Sequence, residues 1–98
     1  MFVAEVVGNV WGTRKHCSLC DKRLLLVRPI DPLTEAHTGE ALMAVEYGTG
    51  AGPGSIVLVM DEGGSARSVL HDADAPIRTV IVGIVDSVVS GGKVIKYD

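Results

Sequence analysis

Cys17 and Cys20, with His16 beside them, are the most chemically suggestive side chains of this 98-residue chain. A Cys-x-x-Cys spacing lets two thiolates meet on one tetrahedral metal ion, and histidine makes a suitable further ligand. A strong zinc signature needs a second pair at matched spacing, and here only the scattered His37 and His71 remain. Three states stay open for Cys17 and Cys20. Free thiols in a hairpin turn rank first, then a redox-sensitive disulfide, then a metal site, within one chain or shared between subunits. Two cysteines cannot form the disulfide framework of a small secreted domain, so the chain reads as cytosolic.

The run Gly48-Thr49-Gly50-Ala51-Gly52-Pro53-Gly54 offers clustered backbone N–H groups of the kind that cradle anions. It leads into a strand and lacks the Lys-Ser/Thr ending of a phosphate loop, so turn geometry or close approach of another subunit is the better reading. For nucleophilic catalysis, Ser65 follows Gly63-Gly64 without a nucleophile elbow and reads as a helix cap. His71, Asp72 and Asp74 fall in a polar turn, and Asp61-Glu62 is a charged strand end. No catalytic residue and no cofactor is assigned, and the chain is not expected to be an enzyme.

The elements that position these groups are mostly strands. Phe2–Trp11 alternates with period two, placing Phe2, Ala4, Val6, Gly8 and Val10 on one face. Lys22–Val27 returns to strand character and ends by Pro29, making a hairpin with the first strand. Leu33–Glu40 reads as a surface loop, Ala41–Tyr47 as a third strand and Ile56–Met60 as a fourth. One short helix is expected from Ala66 to about Leu70. Ile77–Val89 is the longest β run, with Gly83 marking a bulge or bend, and Val94–Tyr97 follows the Gly91-Gly92 turn. Five to six strands with one short helix predict an all-β, small, closed or nearly closed barrel, as a single domain over residues 1–98.

Apolar residues make up 47% of the chain and charged residues only 21%, which is rich in apolar surface for a domain this small. LLLV, IVLVM and VIVGIV are apolar at consecutive positions, so both strand faces carry apolar groups. A neighbouring copy of the same chain is the expected cover for the outer face. The net charge of −3 and four aromatic residues, one Trp, one Phe and two Tyr, argue against a nucleic-acid partner, the third-ranked function after assembly and a Cys-dependent metal or redox module. No run is long enough to span a bilayer, so no membrane partner is expected.

Four blocks along the chain resemble the EutN/CcmL family of bacterial microcompartment vertex proteins. Ala4 to Thr13 (AEVVGNVWGT) with Lys15, Ser18-Leu19 and Leu24–Val27 is similar to the family's first hairpin. Gly50-Ala51-Gly52-Pro53-Gly54 followed by Val57–Val59 resembles its GAGxGE loop and the next strand. Gly64-Ser65-Ala66-Arg67 resembles its GSSAR helix entry, and Pro76 with Ile81–Asp86 resembles its final strand, closing in GIVD. The resemblance implies an OB-like barrel and a homopentamer that caps the vertices of a polyhedral shell tiled by hexagonal shell proteins, in the cytoplasm. The assembly residues it suggests are Gly50, Ala51, Gly52, Gly54, Ser65, Ala66, Arg67, Ile81, Gly83 and Asp86. The chain departs from the pattern at Glu46 (aspartate in the family), at Ser55 (acidic), at Arg78 (near an acidic position) and at Cys17 (often proline, in a surface turn).

Overall fold

Alternation in the first segment produces β1 (Phe2–Val10), and the apolar runs that follow produce β2 (Arg23–Pro29), β3 (Leu42–Glu46), β4 (Ile56–Asp61) and β5 (Thr79–Ile84). The computed structural model describes residues 1–10, 22–61 and 79–97. These five strands close into a barrel in the order β1-β2-β3-β5-β4, with β4 returning to β1. The pairings are antiparallel apart from β3 with β5, which run parallel through Val45 and Val80. Closure leaves these short strands without an open edge. The expected helix from Ala66 lies outside the described residues.

Period-two alternation sends Ala4, Val6, Leu25, Val27, Ala44, Val57, Val59 and Ile81 into the interior, where they are buried with Ala51 and packed against by Phe2. Full burial of a side chain such as Leu25 stabilises the fold by about 1.5–3 kcal/mol. A second cluster lies on the opposite face of the same strands. There Val45 and Val80 are buried, with Leu24, Met60 and Val82 packed against them. The double-sided apolar strands are thus partly covered within the single chain, which leaves a neighbouring copy less of the outer face to cover than the apolar runs alone suggest. What stays exposed is narrower and includes Val7, Leu42, Met43 and Ile84.

Three further differences have physical causes. In β1 the register skips Val7, since Val6 pairs with Val27 and Gly8 with Leu26. This bulge moves Gly8 and Val10 off the face of Ala4 and Val6, because one extra residue inverts the alternation beyond it. Pro29 does not end β2 beforehand but closes it, paired with Ala4, and its carbonyl accepts the Thr38 N–H at 2.9 Å. The long run Ile77–Val89 is not one strand. After Ile84 the ladder with β4 has a final bond from Val85 N–H to the Ile56 carbonyl, 2.8 Å, and β4 begins at Ile56. With no partner left, the chain turns away at Asp86 and forms a separate hairpin, β6 (Ser87–Ser90) with β7 (Lys93–Lys96). Gly91 and Gly92, at φ 57° and 79°, supply the two left-handed residues of its tight turn. Within β5, Gly83 pairs with Leu58 and Ile81 with Val59, so an extra residue stands beside Gly83, as its position in the run suggested.

Candidate functional site

Arg23 opens β2 and Glu46 closes β3, and the register sets them directly opposite one another. They share the interior-facing side with the neighbouring pair Leu25 and Ala44, two residues further into the barrel. The two charged groups therefore stand at one mouth of the barrel, where the Gly48–Gly54 loop crosses. Glu46 is buried, and both of its carboxylate oxygens are engaged. Oε2 accepts the Arg23 Nε–H at 2.9 Å. Oε1 accepts the Thr49 N–H at 2.8 Å, the Thr49 hydroxyl at 2.7 Å and the Gly50 N–H at 3.0 Å. The far end of the Arg23 guanidinium donates to the Ala51 carbonyl.

The loop winds around this carboxylate and drops the Ala51 methyl into the barrel core, where it is fully buried. Beyond Ala51, the Gly52 N–H donates to the Ser55 hydroxyl at 3.2 Å and the Ser55 N–H returns to the Gly52 carbonyl at 2.9 Å. Gly54 N–H donates to the Val6 carbonyl and Val6 N–H to the Ser55 carbonyl, which stitches the loop to β1. Gly48, Gly50 and Gly54 have φ of 80°, 79° and 91°, a region that costs an L-residue roughly 1–2 kcal/mol. Gly52 has no such φ and no atom near where a Cβ would stand, so nothing in the single chain requires glycine there.

Burial pulls the Glu46 carboxyl upward, and the Thr49 hydroxyl, Arg23 and the Thr49 and Gly50 amides together outweigh it, holding the group below its ordinary value. The carboxylate is thus the stable form within the loop. The stabilisation it confers is fully present above the ordinary carboxyl range and is lost as pH falls through the lowered value. Beside this hub the Lys22 ammonium lies 5.2 Å from the centroid of the Tyr47 ring, a cation–π contact at the same barrel end.

Chemically the arrangement is a structural lock. The N–H groups of Thr49 and Gly50, which a phosphate would need, are spent on the protein's own carboxylate, and those of Gly52 and Gly54 on Ser55 and Val6. Two of the four departures singled out in the sequence, Glu46 and Ser55, accept hydrogen bonds from the loop's backbone amides. Arg23 and Thr49 were not legible as partners. The available signal was an acid ending a strand immediately before a Gly-Thr-Gly turn.

Of the other sequence-derived candidates, Gly50, Gly52 and Gly54 sit in this loop, while Ala51 and Ile81 are interior core residues. Gly83 is on the outer side of β5, and Asp86 is exposed where the chain leaves the barrel. Asp61 accepts the Thr79 hydroxyl at 2.9 Å across the end of the β4–β5 ladder. His37 Nε2 lies 2.9 Å from Glu5 Oε1, tying the loop after β2 to the outer face of β1. His16, Cys17, Cys20, Glu62, Ser65, Ala66, Arg67, His71, Asp72, Asp74 and Arg78 lie outside the described residues.

A closed five-stranded barrel with one mouth locked by a glycine loop is the class of structure that comparison with known proteins returns. The family model described as "Ethanolamine utilisation protein EutN/carboxysome" matches residues 1–86, and the chain belongs to this EutN/CcmL family. It is 39% identical over 97 residues to the bacterial microcompartment shell vertex protein EutN of Escherichia coli K12, covering 99% of each chain. Its fold is similar to a solved ethanolamine utilization protein, EutN, with a TM-score of 0.85 and 38% identity over 96% of this chain and 95% of that one. It is also similar to GrpN, a pentameric microcompartment shell protein from Rhodospirillum rubrum, with a TM-score of 0.76 and 32% identity over 92% of this chain and 99% of that one.

Proposed function

We propose that five copies of this chain assemble into a ring that caps a vertex of a polyhedral microcompartment shell in the bacterial cytoplasm. The observation that carries this reading is the end-to-end similarity to proteins named as shell vertex and pentameric shell proteins. The role is geometric and non-catalytic. A sheet of six-fold units stays flat, and five-fold units at its corners let it close, so the partners are hexagonal shell proteins. A ring needs a heterologous contact, in which one surface of a subunit meets a different surface of the next. The exposed apolar groups left on the barrel, Val7, Leu42, Met43 and Ile84, supply surface for such contacts. The glycine loop, the Ser65–Arg67 segment, Gly83 and Asp86 are the further assembly candidates, with Gly52 favoured by the lack of any requirement for glycine within the single chain.

Co-expression with hexagonal shell proteins, imaged by electron microscopy, tests the role. Closed polyhedra are expected when this chain is present, and open sheets or tubes when it is omitted. Closed polyhedra in both preparations contradict the vertex assignment.

A further inference from the structure

The β6–β7 hairpin is a two-stranded sheet of its own, hydrogen-bonded to no barrel strand within the described ladders. It begins at Ser87, one residue past the end of the family match, yet the similarity to Escherichia coli EutN runs over 97 residues. An isolated hairpin is at best marginally stable in water, so contacts outside it must hold it.

Among the described residues, its hydrogen bonds to the rest of the chain lie at its base. Tyr97 N–H donates to the Asp86 carbonyl, and the Tyr97 hydroxyl donates to the Pro32 carbonyl. Burial together with the charges of Glu35 and Asp31 raises the Tyr97 phenol, which keeps it a proton donor. Beneath the base, a cavity of about 320 Å³ separates Lys96 and Tyr97 from Glu5 and Ile56, so the hairpin is not packed flat on the barrel. Its Val88–Ile95 face is half-buried, whereas Val89 and Val94, directly opposite each other on the other face, are 69% and 56% exposed.

Charge identifies what covers that face. Residues 87–98 carry Lys93 and Lys96 against Asp98, a net charge of +1, while residues 1–86 carry seven cations against eleven acids. A cationic, apolar-faced arm on an anionic body is complementary to another copy of itself, in the head-to-tail sense that builds rings. The body also presents a matching surface, where the exposed Glu40 precedes Leu42 and Met43, 41% and 55% exposed.

We propose that the β6–β7 hairpin is an assembly arm whose Val89–Val94 face docks on Leu42 and Met43 of a neighbouring copy, with its lysines toward that copy's Glu40. This rests on the vertex reading above. The test uses the full chain carrying Val89→Ser and Val94→Ser, with wild type in parallel, by native mass spectrometry over a dilution series. Far-UV circular dichroism and a thermal melt report the fold. The arm predicts a folded variant whose pentamer dissociates at a concentration about tenfold higher or more than wild type, because truncating both valines removes apolar contact from every subunit interface. Carbodiimide cross-linking of mixed isotope-labelled and unlabelled wild-type chains should join Lys93 or Lys96 of one copy to Glu40 of another. A wild-type pentamer with an equally stable variant, or lysine cross-links confined to single copies, overturns the arm and leaves the vertex reading standing. A wild-type monomer overturns both.

Discussion

Replacing Glu46 by alanine is expected to destabilise the protein by about 3 kcal/mol, lowering its melting temperature by roughly 10–20 °C. The carboxylate accepts two amides and a hydroxyl from the loop and one guanidinium N–H, and a hydrogen bond to a charged group contributes a net of about 1.5–3 kcal/mol, not additively for groups that share one acceptor. Removing it leaves the Thr49 and Gly50 amides without their acceptor and unties the loop that places Ala51 in the core. Arg23→Ala should cost clearly less, because the Arg23 side chain is half-exposed and water can replace it at the Glu46 oxygen. The Glu46 carboxylate also carries a pH signature. Wild-type stability should fall as pH drops below the ordinary carboxyl range, since the lowered carboxyl of Glu46 must then take up a proton. Glu46→Gln, with nothing to protonate, should lose less over that interval. Urea midpoints at a series of pH values check both effects. Equal losses for Glu46→Ala and Arg23→Ala, or parallel pH curves for wild type and Glu46→Gln, would remove Glu46 from the centre of the lock.

Leu25→Ala is expected to cost about 3–4 kcal/mol, comparable to or larger than Glu46→Ala. Leu25 is fully buried at the middle of β2, between Asn9 of β1 and Ala44 of β3 in the ladder, and it is the bulkiest of the completely buried side chains together with Ile81. Its neighbours in the interior include two alanines, Ala4 and Ala44, which cannot extend into the space left behind. A closed barrel resists collapse because each strand is pinned on both sides, so the cavity term adds nearly in full to the lost transfer energy. Thermal or urea denaturation measures this directly. A loss below about 1 kcal/mol would mean that the barrel interior adjusts more freely than its closed ladders imply.

Much of the fold can be read from residue order. The alternation of Phe2–Val10 and the runs LLLV, IVLVM and VIVGIV are strands, and Gly83 and Gly91-Gly92 stand at the bulge and the turn that their freedom suggests. Where reading fails, the cause is tertiary. Val88 and Val89 are as good strand formers as Val80 and Val82, so nothing in IRTVIVGIVDSVV shows that β4 runs out at Ile56 and releases the chain. The Val7 bulge inverts which side Val10 faces without a proline or glycine at its own position. Outer-face burial of Val45 and Val80 comes from packing within the chain, which an apolar run cannot distinguish from a subunit contact. The lock follows the same rule. The glycine loop was visible as a loop, but its partner Arg23 is 23 residues before Glu46 and is brought there only by the β2–β3 register.

This barrel functions by forming a five-fold ring, and native mass spectrometry of the purified full chain tests that most directly. A pentamer as the dominant species at micromolar concentration is the predicted result. A stable monomer across the concentration range would contradict it, and a hexamer would leave the barrel and its lock in place while removing the vertex geometry.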